Sequence, residues 1–117
     1  MTVRANQQSG VVILTLCGDM DMEEAVEVKN SITSQVDGGC CQIVLDFSRV
    51  QHINSTGIGI LADRLRYLRT LAGDLRLAGL SPSLQHVFEL TLIRSMFRIY
   101  ATAGEAVQSY HTCMAAA

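Results

Sequence analysis

The sequence predicts a single α/β domain with about five strands in a mixed, mostly parallel sheet and four or five helices. Apolar, β-branched segments alternate with segments of helical periodicity, in the order β-β-α-β-α-β-α-β-α. Single helices between strands require crossover connections, which favour parallel pairing, whereas the first two strands are joined by a short turn and should pair antiparallel. The length of 117 residues suits one hydrophobic core.

The first half of the chain predicts a hairpin, a helix and a second buried strand. Val11–Cys17 is apolar on both faces, as a strand covered by helices on both sides should be. Thr2–Asn6 can pair with it through a turn at Ser9-Gly10. The helix that follows ends at Gly38-Gly39, and the next strand is Cys41–Phe47. The helix buries residues three or four apart, namely Ala25, Val28, Ile32 and Val36.

A second amphipathic helix, which ends at Gly73, and a strand at Asp74–Ala78 come next. Ser81 is a good N-cap for the third helix. Pro82 follows at the first position of that helix, where the missing N–H of proline costs nothing. The apolar faces of these two helices consist of Ile58, Leu61, Leu65, Leu68 and Ala72, and of Leu84, Val87 and Phe88.

The end of the chain predicts a last strand and a last helix. The strand is Met96–Tyr100, and Thr102–Glu105 is a capping box that opens a helix with Val107 and Tyr110 turned inward. We therefore expect one domain over residues 1–117, with its core at about 3–110 and a C-terminal tail at 111–117.

Composition and charge exclude several classes of protein. Nine Lys and Arg against eleven Asp and Glu give a net charge of -2, which argues against a protein that grips nucleic acid phosphates or an anionic membrane. No apolar run approaches a membrane span, and the polar segment Met1–Gly10 lacks a signal sequence, so we expect a cytoplasmic protein. The cysteine spacing suits neither zinc nor a disulfide framework and predicts reduced thiols at Cys17, Cys40, Cys41 and Cys113.

The chain shows no catalytic motif, so we predict that it is not an enzyme and needs no metal or cofactor. It has no G-x-S-x-G elbow, no H-E-x-x-H and no P-loop lysine, and its one lysine is Lys29. A hard-metal site can be imagined, but first-turn acids and a cap are the better interpretation of Asp19, Asp21, Glu23 and Glu24. We interpret His52, His86 and His111 as surface or partly buried histidines. We interpret Arg64, Arg66 and Arg69, together with Asp63, as a solvated helix face.

The segment His52–Gly59 carries the strongest functional signal. It follows a buried strand and places the hydroxyls of Ser55 and Thr56 at a helix N-terminus, where unpaired N–H groups and the helix dipole favour a phosphate, bound or covalent. A purely structural interpretation is that Asn54 or Ser55 is an N-cap and that the two glycines permit close packing.

Gly57, Gly59 and Ala62 also fit the G-x-G-x-x-A pattern of a dinucleotide site. This match is weak, because the acid expected after the next strand would be Asp74, which precedes that strand. The chain is also too short for a cofactor domain together with a substrate domain.

Four sequence blocks together resemble the STAS domain, and more narrowly the bacterial anti-sigma factor antagonists. The blocks are G-D-M-D after the first long strand, I-V-L-D-F, I-N-S-T-G-I-G-I-L and L-R-L-A-G-L-S-P. The resemblance extends from about Val11 to Val107, with the elements in the same order. It implies a STAS-type fold and a non-catalytic regulatory role: such a protein binds an anti-sigma factor, often a serine kinase, and thereby frees the sigma factor.

The resemblance also implies a phosphorylation switch. In this family the kinase phosphorylates the serine that follows the motif's acidic residue, and a serine phosphatase reverses the modification. By position the acceptor is Ser55, with Thr56 as the second choice. The implied partner-binding residues are Gly18, Asp19, Asp21, Asn54, Ser55, Thr56, Gly57 and Gly59. We expect a monomer or weak dimer, with no direct contact to nucleic acid or membrane.

Two positions depart from the family's pattern. Asn54 replaces the usual Asp before the serine, and Thr91-Leu92-Ile93 replaces a common T-G-L. Two alternatives remain open: a STAS scaffold subunit of a stressosome-like assembly, and a module without a phospho-switch that senses a nucleotide or anion at the Ser55 helix terminus.

Overall fold

The structure is a computed structural model that describes residues 2–91 and 94–115, with side-chain surroundings as far as residue 111. Five strands form one sheet in sequential order, with β1 antiparallel to β2 and all other pairs parallel. The strands are β1 Thr2–Gln8, β2 Val11–Cys17, β3 Gln42–Arg49, β4 Asp74–Ala78 and β5 Ile99–Tyr100. The helices are α1 Met22–Asp37, α2 Ser55–Thr70, α3 Pro82–Glu89 and α4 Ala103–Ala115.

The sheet is covered on both faces, which confirms the α/β architecture. Val12 and Leu14 of β2 belong to the larger apolar cluster, which also holds the buried residues of α1, α2 and α3. Val11 and Ile13 of the same strand pack instead with Ala106 of α4. Alternate residues of β2 therefore enter two separate cores, which is why the sequence of this strand is apolar without interruption.

The predicted turns and caps are present at the start of the chain and before α3. Ser9 and Gly10 both have positive φ, 55° and 82°, as in the two-residue turns that suit a hairpin. Pairing continues from Thr2 opposite Cys17 to Gln8 opposite Val11, so β1 is two residues longer than predicted. The Ser81 hydroxyl accepts a hydrogen bond from the Leu84 N–H at 3.2 Å, as predicted for an N-cap.

The predicted strand Met96–Tyr100 is wrong for its first three residues. Arg94–Met96 form a 3₁₀ turn, and only Ile99 and Tyr100 pair with β4. One cause is long-range, because the Arg69 guanidinium on α2 donates a hydrogen bond to the Met96 carbonyl at 2.7 Å. The Leu92-Ile93 departure from the family pattern lies outside the described residues.

Helices α2 and α4 do not end at the residues that the sequence predicted. α2 ends at Thr70, and the residue with positive φ after it is Ala72 at 61°, not Gly73. Gly73 is needed for a different reason, since a Cβ there would lie 2.1 Å from the Cys41 carbonyl oxygen. α4 continues through positions 111–115, which we expected to be a tail.

Tyr110 connects α4 to the sheet. Its hydroxyl oxygen lies 2.7 Å from the Ile43 carbonyl oxygen and 2.8 Å from the Asp74 carbonyl oxygen, and it accepts a hydrogen bond from the Ile43 N–H at 3.2 Å. Burial, followed by the nearby Asp74 charge, raises the pKa of Tyr110 well above its usual value. The hydroxyl therefore stays protonated and remains a hydrogen-bond donor.

Candidate functional site

Two loops meet at the carboxyl edge of the sheet, where the sequence predicted a site. The Gly18 N–H donates to the Arg49 carbonyl at 3.3 Å, and the Met20 N–H donates to the His52 carbonyl at 2.8 Å. The Asn54 N–H donates back to the Met20 carbonyl at 3.2 Å. The loop after β3 is therefore held against the loop after β2 by backbone hydrogen bonds that continue the parallel pairing beyond the strands.

Buried side chains and one glycine stabilise this pair of loops. Met20 is fully buried and Ile53 is 7% exposed, and the two residues form an isolated parallel bridge. Gly18 has a φ of 114°, a conformation that glycine adopts without strain. These anchors fix the position at which α1 begins, after Asp21, and α2 begins, after Asn54.

Asn54 is the N-cap of α2, as the structural interpretation of the sequence proposed. Its side-chain oxygen accepts a hydrogen bond from the Gly57 N–H at 2.7 Å, and its backbone is extended. The cap satisfies one of the four N–H groups that a helix leaves unpaired in its first turn. Ser55 is not the cap, so its hydroxyl is not committed to that hydrogen bond.

Removing this cap should cost stability without unfolding the domain. We expect Asn54→Ala to lower the free energy of unfolding by about 1 kcal/mol, because the Gly57 N–H loses its acceptor. Asn54→Asp should match or exceed wild-type stability, since a carboxylate accepts the same hydrogen bond and interacts favourably with the helix dipole. Urea unfolding of the three proteins tests this, and equal stability of Asn54→Ala and wild type would contradict the cap.

Ser55 and Thr56 are exposed at the first two positions of α2. Gly59, one turn after Ser55, is also exposed, and nothing lies within 4 Å of the place where its Cβ would be. The prediction that Gly59 serves close helix packing is therefore wrong. The surface beside the Ser55 hydroxyl is open, without a side chain one turn further along the helix.

Gly57 has the packing role that Gly59 lacks. It is buried, and a Cβ on it would lie 3.4 Å from Ile53 Cγ1 and 3.6 Å from Ala25 Cβ. A partner cannot reach this residue from solvent, so the structure does not support the direct partner contact that the resemblance implied. The closeness of Ala25 Cβ to this position also shows that the first turns of α1 and α2 lie side by side.

The start of α1 adds charge and apolar surface to this region. Asp19, Asp21 and Glu23 are exposed beside the loop, and Asp21 is the N-cap residue of α1 but makes no side-chain cap hydrogen bond. Met22 is 58% exposed and Val26 is 39% exposed, one helical turn apart. We call the exposed residues Asp21, Met22, Val26, Ser55, Thr56 and Gly59 the α1–α2 surface.

Sequence reasoning missed Met22 and Val26. Both are off the periodic stripe of buried residues on α1, in which Ala25, Val28 and Ile32 are fully buried. Apolar residues outside the buried stripe of an amphipathic helix were the signal that could have revealed them.

The other candidates from the sequence do not form a site. No group of three or more His, Cys, Asp or Glu side chains in the described part of the chain is arranged to hold a metal ion. Cys17, Cys40 and Cys41 are free thiols, and Cys113 lies beyond the side chains that the structure describes. His52, His86 and His111 are exposed, as predicted.

Arg64 is not on a solvated face, contrary to the prediction, whereas Arg69 is exposed as predicted. The Arg64 side chain is 17% exposed and lies over the Tyr67 ring, 4.7 Å from its centre. Arg69 bridges Asp74 and the Met96 carbonyl. Asp74 lies at the start of β4 and is paired with two arginines. A dinucleotide site needs its acidic residue at the end of that strand, so Asp74 does not fit this interpretation.

The fold and site define a single mixed-sheet α/β domain with an exposed hydroxyl pair at a helix start on the carboxyl edge of its sheet. The family model for the STAS domain matches residues 2–106, so this chain belongs to the STAS domain family. The fold is the STAS-type arrangement that the sequence resemblance implied. Among the described residues, no helix is both long and apolar enough to cross a membrane.

Named relatives of this chain are anti-sigma factor antagonists. BtrV of Bordetella bronchiseptica, provisionally named as one, is 27% identical over 114 residues, which cover 97% of this chain and 98% of BtrV. The anti-sigma-B factor antagonist of Listeria monocytogenes is 31% identical over 91 residues, 77% of this chain and 79% of the relative.

Two solved structures of one protein, without and with a phosphoryl group, show the same fold. The anti-sigma factor antagonist SpoIIAA in its unphosphorylated form superposes with a TM-score of 0.72 at 24% identity, covering 94% of this chain and 98% of that chain. The phosphorylated form of SpoIIAA from Bacillus gives a TM-score of 0.71 at 23% identity, covering 93% of this chain and 99% of that chain. At this identity the similarity establishes the fold alone.

Proposed function

We propose that this protein is an anti-sigma factor antagonist, a non-catalytic module that binds an anti-sigma factor of the serine-kinase type and is released by phosphorylation of Ser55. The observation that carries the proposal is the exposure of Ser55 at the first position of α2, on a helix start that backbone hydrogen bonds and the Asn54 cap hold in place. The names of the Listeria and Bordetella relatives support the class of partner.

A phosphate at this position is compatible with the fold. Phosphorylation adds about -1.5 to -2 charges, which the positive end of the helix dipole stabilises. The first-turn N–H groups of Ser55 and Thr56 have no acceptor within the helix and can donate to the phosphate oxygens. The modification therefore leaves the domain folded, and its effect falls on the partner. That SpoIIAA, which shares this fold, has a phosphorylated form supports this step.

The α1–α2 surface has the composition of a docking site. Met22 and Val26 provide exposed apolar area, and the open backbone around Gly59 lets a partner approach α2 closely. Asp19, Asp21 and Glu23 make the rim acidic, so a phosphate on Ser55 adds to a surface that is already negative and repels any partner carboxylate that faces it. A phosphate on Ser55 adds bulk and further negative charge within this surface, and the interface then loses its shape and charge complementarity.

Incubation with the candidate kinase and ATP, followed by intact-protein mass measurement, tests the phosphoacceptor. The kinase to test is an anti-sigma factor of the serine-kinase type, sought among the products of neighbouring genes, and a serine phosphatase should remove the added group. We expect one phosphoryl group on wild type and on Thr56→Ala, and none on Ser55→Ala. Restoring the family's acid with Asn54→Asp should speed the reaction. Modification of Ser55→Ala, or no modification of wild type by a kinase that it binds, would contradict the proposal.

A further inference from the structure

A polar groove lies on the face of the sheet that carries α4, towards the carboxyl ends of the parallel strands. Val11 and Ile13 of β2 pack with α4 on this face, whereas Thr15 and Cys17, further along the same face of the strand, are half-buried and exposed. The groove has a volume of about 510 Å³. We call it the arginine groove, and its lining includes Thr2, Arg4, Asn6, Thr15, Cys17 and Arg49.

A shift in strand register brings Arg49 to this groove. Thr15 is paired with Asp46 but Cys17 with Arg49, so β3 advances three residues where β2 advances two. Because side chains alternate between the two faces of a sheet, regular pairing would turn Arg49 to the opposite face. An extra residue of this kind, as in a β-bulge, re-aims the side chain that follows it. Arg49 therefore lines the same groove as Arg4 of β1.

The groove carries two positive charges that the described residues do not neutralise. Arg4 and Arg49 are exposed, and neither guanidinium group makes an ion pair or a hydrogen bond with the described part of the chain. None of the described residues that line the groove is acidic. Asp46, although paired with Thr15, forms no ion pair with these arginines, and its Oδ1 accepts a hydrogen bond from the Ser48 N–H at 3.0 Å. Both guanidinium groups are thus available to an external anion.

We propose that the arginine groove binds an acidic segment of a protein partner, with carboxylates at both arginines. Arg4 is paired with Thr15, and Arg49 with Cys17 on the other side of β2. Two strand spacings and two residues separate their Cα atoms by roughly 12 Å, a span that carboxylates on one polypeptide segment can bridge. Each guanidinium can hold a carboxylate through two parallel hydrogen bonds. The inference does not depend on phosphorylation of Ser55.

The shape of the groove favours a polypeptide over other anions. Every described lining residue except Thr15 is exposed, so the groove is too open to enclose most of the surface of a small anion, as small-molecule sites do. A nucleic acid would meet a protein with a net charge of -2, which disfavours binding to a phosphate backbone. An acidic peptide segment meets neither obstacle, because it can lie along an open surface.

The competing explanation is that the two arginines only keep an exposed sheet surface and its edge strand from associating. Titration of the full chain at low ionic strength, followed by amide NMR, separates the two explanations. The probe is a short peptide of alternating Glu and Gly, and the control peptide has Gln in place of Glu. A parallel titration with inorganic pyrophosphate tests a small anion as the ligand.

We expect saturable binding of the Glu peptide, with amide shifts at Asn6 and Cys17, and no binding of the Gln peptide. Arg49→Gln should weaken binding at least threefold, and the double variant with Arg4→Gln at least tenfold. Arg49→Lys should retain part of the affinity, because it keeps the charge. Arg66→Gln, which removes an exposed arginine on α2, is the matched control and should change binding less than twofold.

Three results would overturn the proposal. They are absence of saturable binding of the Glu peptide, unchanged affinity in the double variant, and saturation of the groove by pyrophosphate with no binding of the peptide. Because the groove lies on the opposite face of the sheet from α2, none of these results bears on phosphorylation of Ser55.

Discussion

Ser55→Asp should weaken binding of the anti-sigma factor more than a hundredfold while the melting temperature stays within a few degrees of wild type. The introduced carboxylate lies at the first position of α2, where the helix dipole favours negative charge, so the fold is retained. At the interface, aspartate replaces the serine hydroxyl by a negative charge beside the acidic rim of Asp19, Asp21 and Glu23, and this charge repels any partner carboxylate that faces Ser55. A penalty of about 3 kcal/mol corresponds to this loss of affinity.

Ser55→Asn is the matched control for that variant. It has nearly the same size as aspartate but no charge, and we expect it to weaken binding less than tenfold. Calorimetric titration with the anti-sigma factor and thermal unfolding of each variant provide the two readouts. If Ser55→Asp unfolds, or if Ser55→Asn loses binding to the same extent, charge at this position is not the switch.

Gly73→Ala should have the largest effect on stability, about 3 kcal/mol. The added Cβ would lie 2.1 Å from the Cys41 carbonyl oxygen and 2.6 Å from Cys41 Cβ, so the backbone has to move. That carbonyl accepts the hydrogen bond from the Asp74 N–H at 3.0 Å, next to the first parallel pair of β3 and β4. Moving it disturbs the start of both strands.

Gly59→Ala is the matched control for the glycine prediction. Gly59 lies within α2 with open space around its Cβ position, so alanine there should raise stability by about 0.5 to 1 kcal/mol through its helix propensity. Urea unfolding of both variants measures the two shifts. Equal effects of the two substitutions would mean that the close approach of Gly73 to Cys41 is not the cause.

Most of the fold could be predicted because each strand and helix is marked by a signal within its own short stretch of sequence. Val11–Cys17 and Asp74–Ala78 are found with the predicted bounds, since a strand buried on both faces is marked by its apolar sequence. The caps Ser81 and Thr102 are also found, because a capping hydroxyl acts within three residues of itself. Family resemblance and local pattern agreed at these positions.

Long-range contacts account for what the sequence did not predict. Met96–Tyr100 has the alternation of a strand, yet the chain forms a 3₁₀ turn up to Met96. Arg69, twenty-seven residues earlier, donates a hydrogen bond to the Met96 carbonyl there. Gly73 seemed to be a helix terminator, but the close approach of Cys41 is what requires a glycine. Neither contact has a signature in the sequence around it.

The candidate site was predicted in its position and only partly in its composition. The two loops were predicted to form the site because sites in such sheets lie beyond the carboxyl ends of the strands, and the structure pairs these loops. Asn54 was predicted as a cap because asparagine is a favoured N-cap residue. The different environments of Gly57 and Gly59 depend on how α2 is rotated against α1, which one sequence does not reveal. Met22 and Val26 carry a weaker signal, their position off the buried stripe of α1, and their exposure in the structure identifies them as surface residues.

The most direct test of the switch compares the unmodified protein with the same protein phosphorylated at Ser55, each titrated into the anti-sigma factor in one buffer. The unmodified form should bind and the phosphorylated form should bind more than a hundredfold more weakly, with both forms folded by circular dichroism. Equal affinity of the two forms would contradict the account, because a phosphate on the exposed start of α2 would then leave the interface untouched.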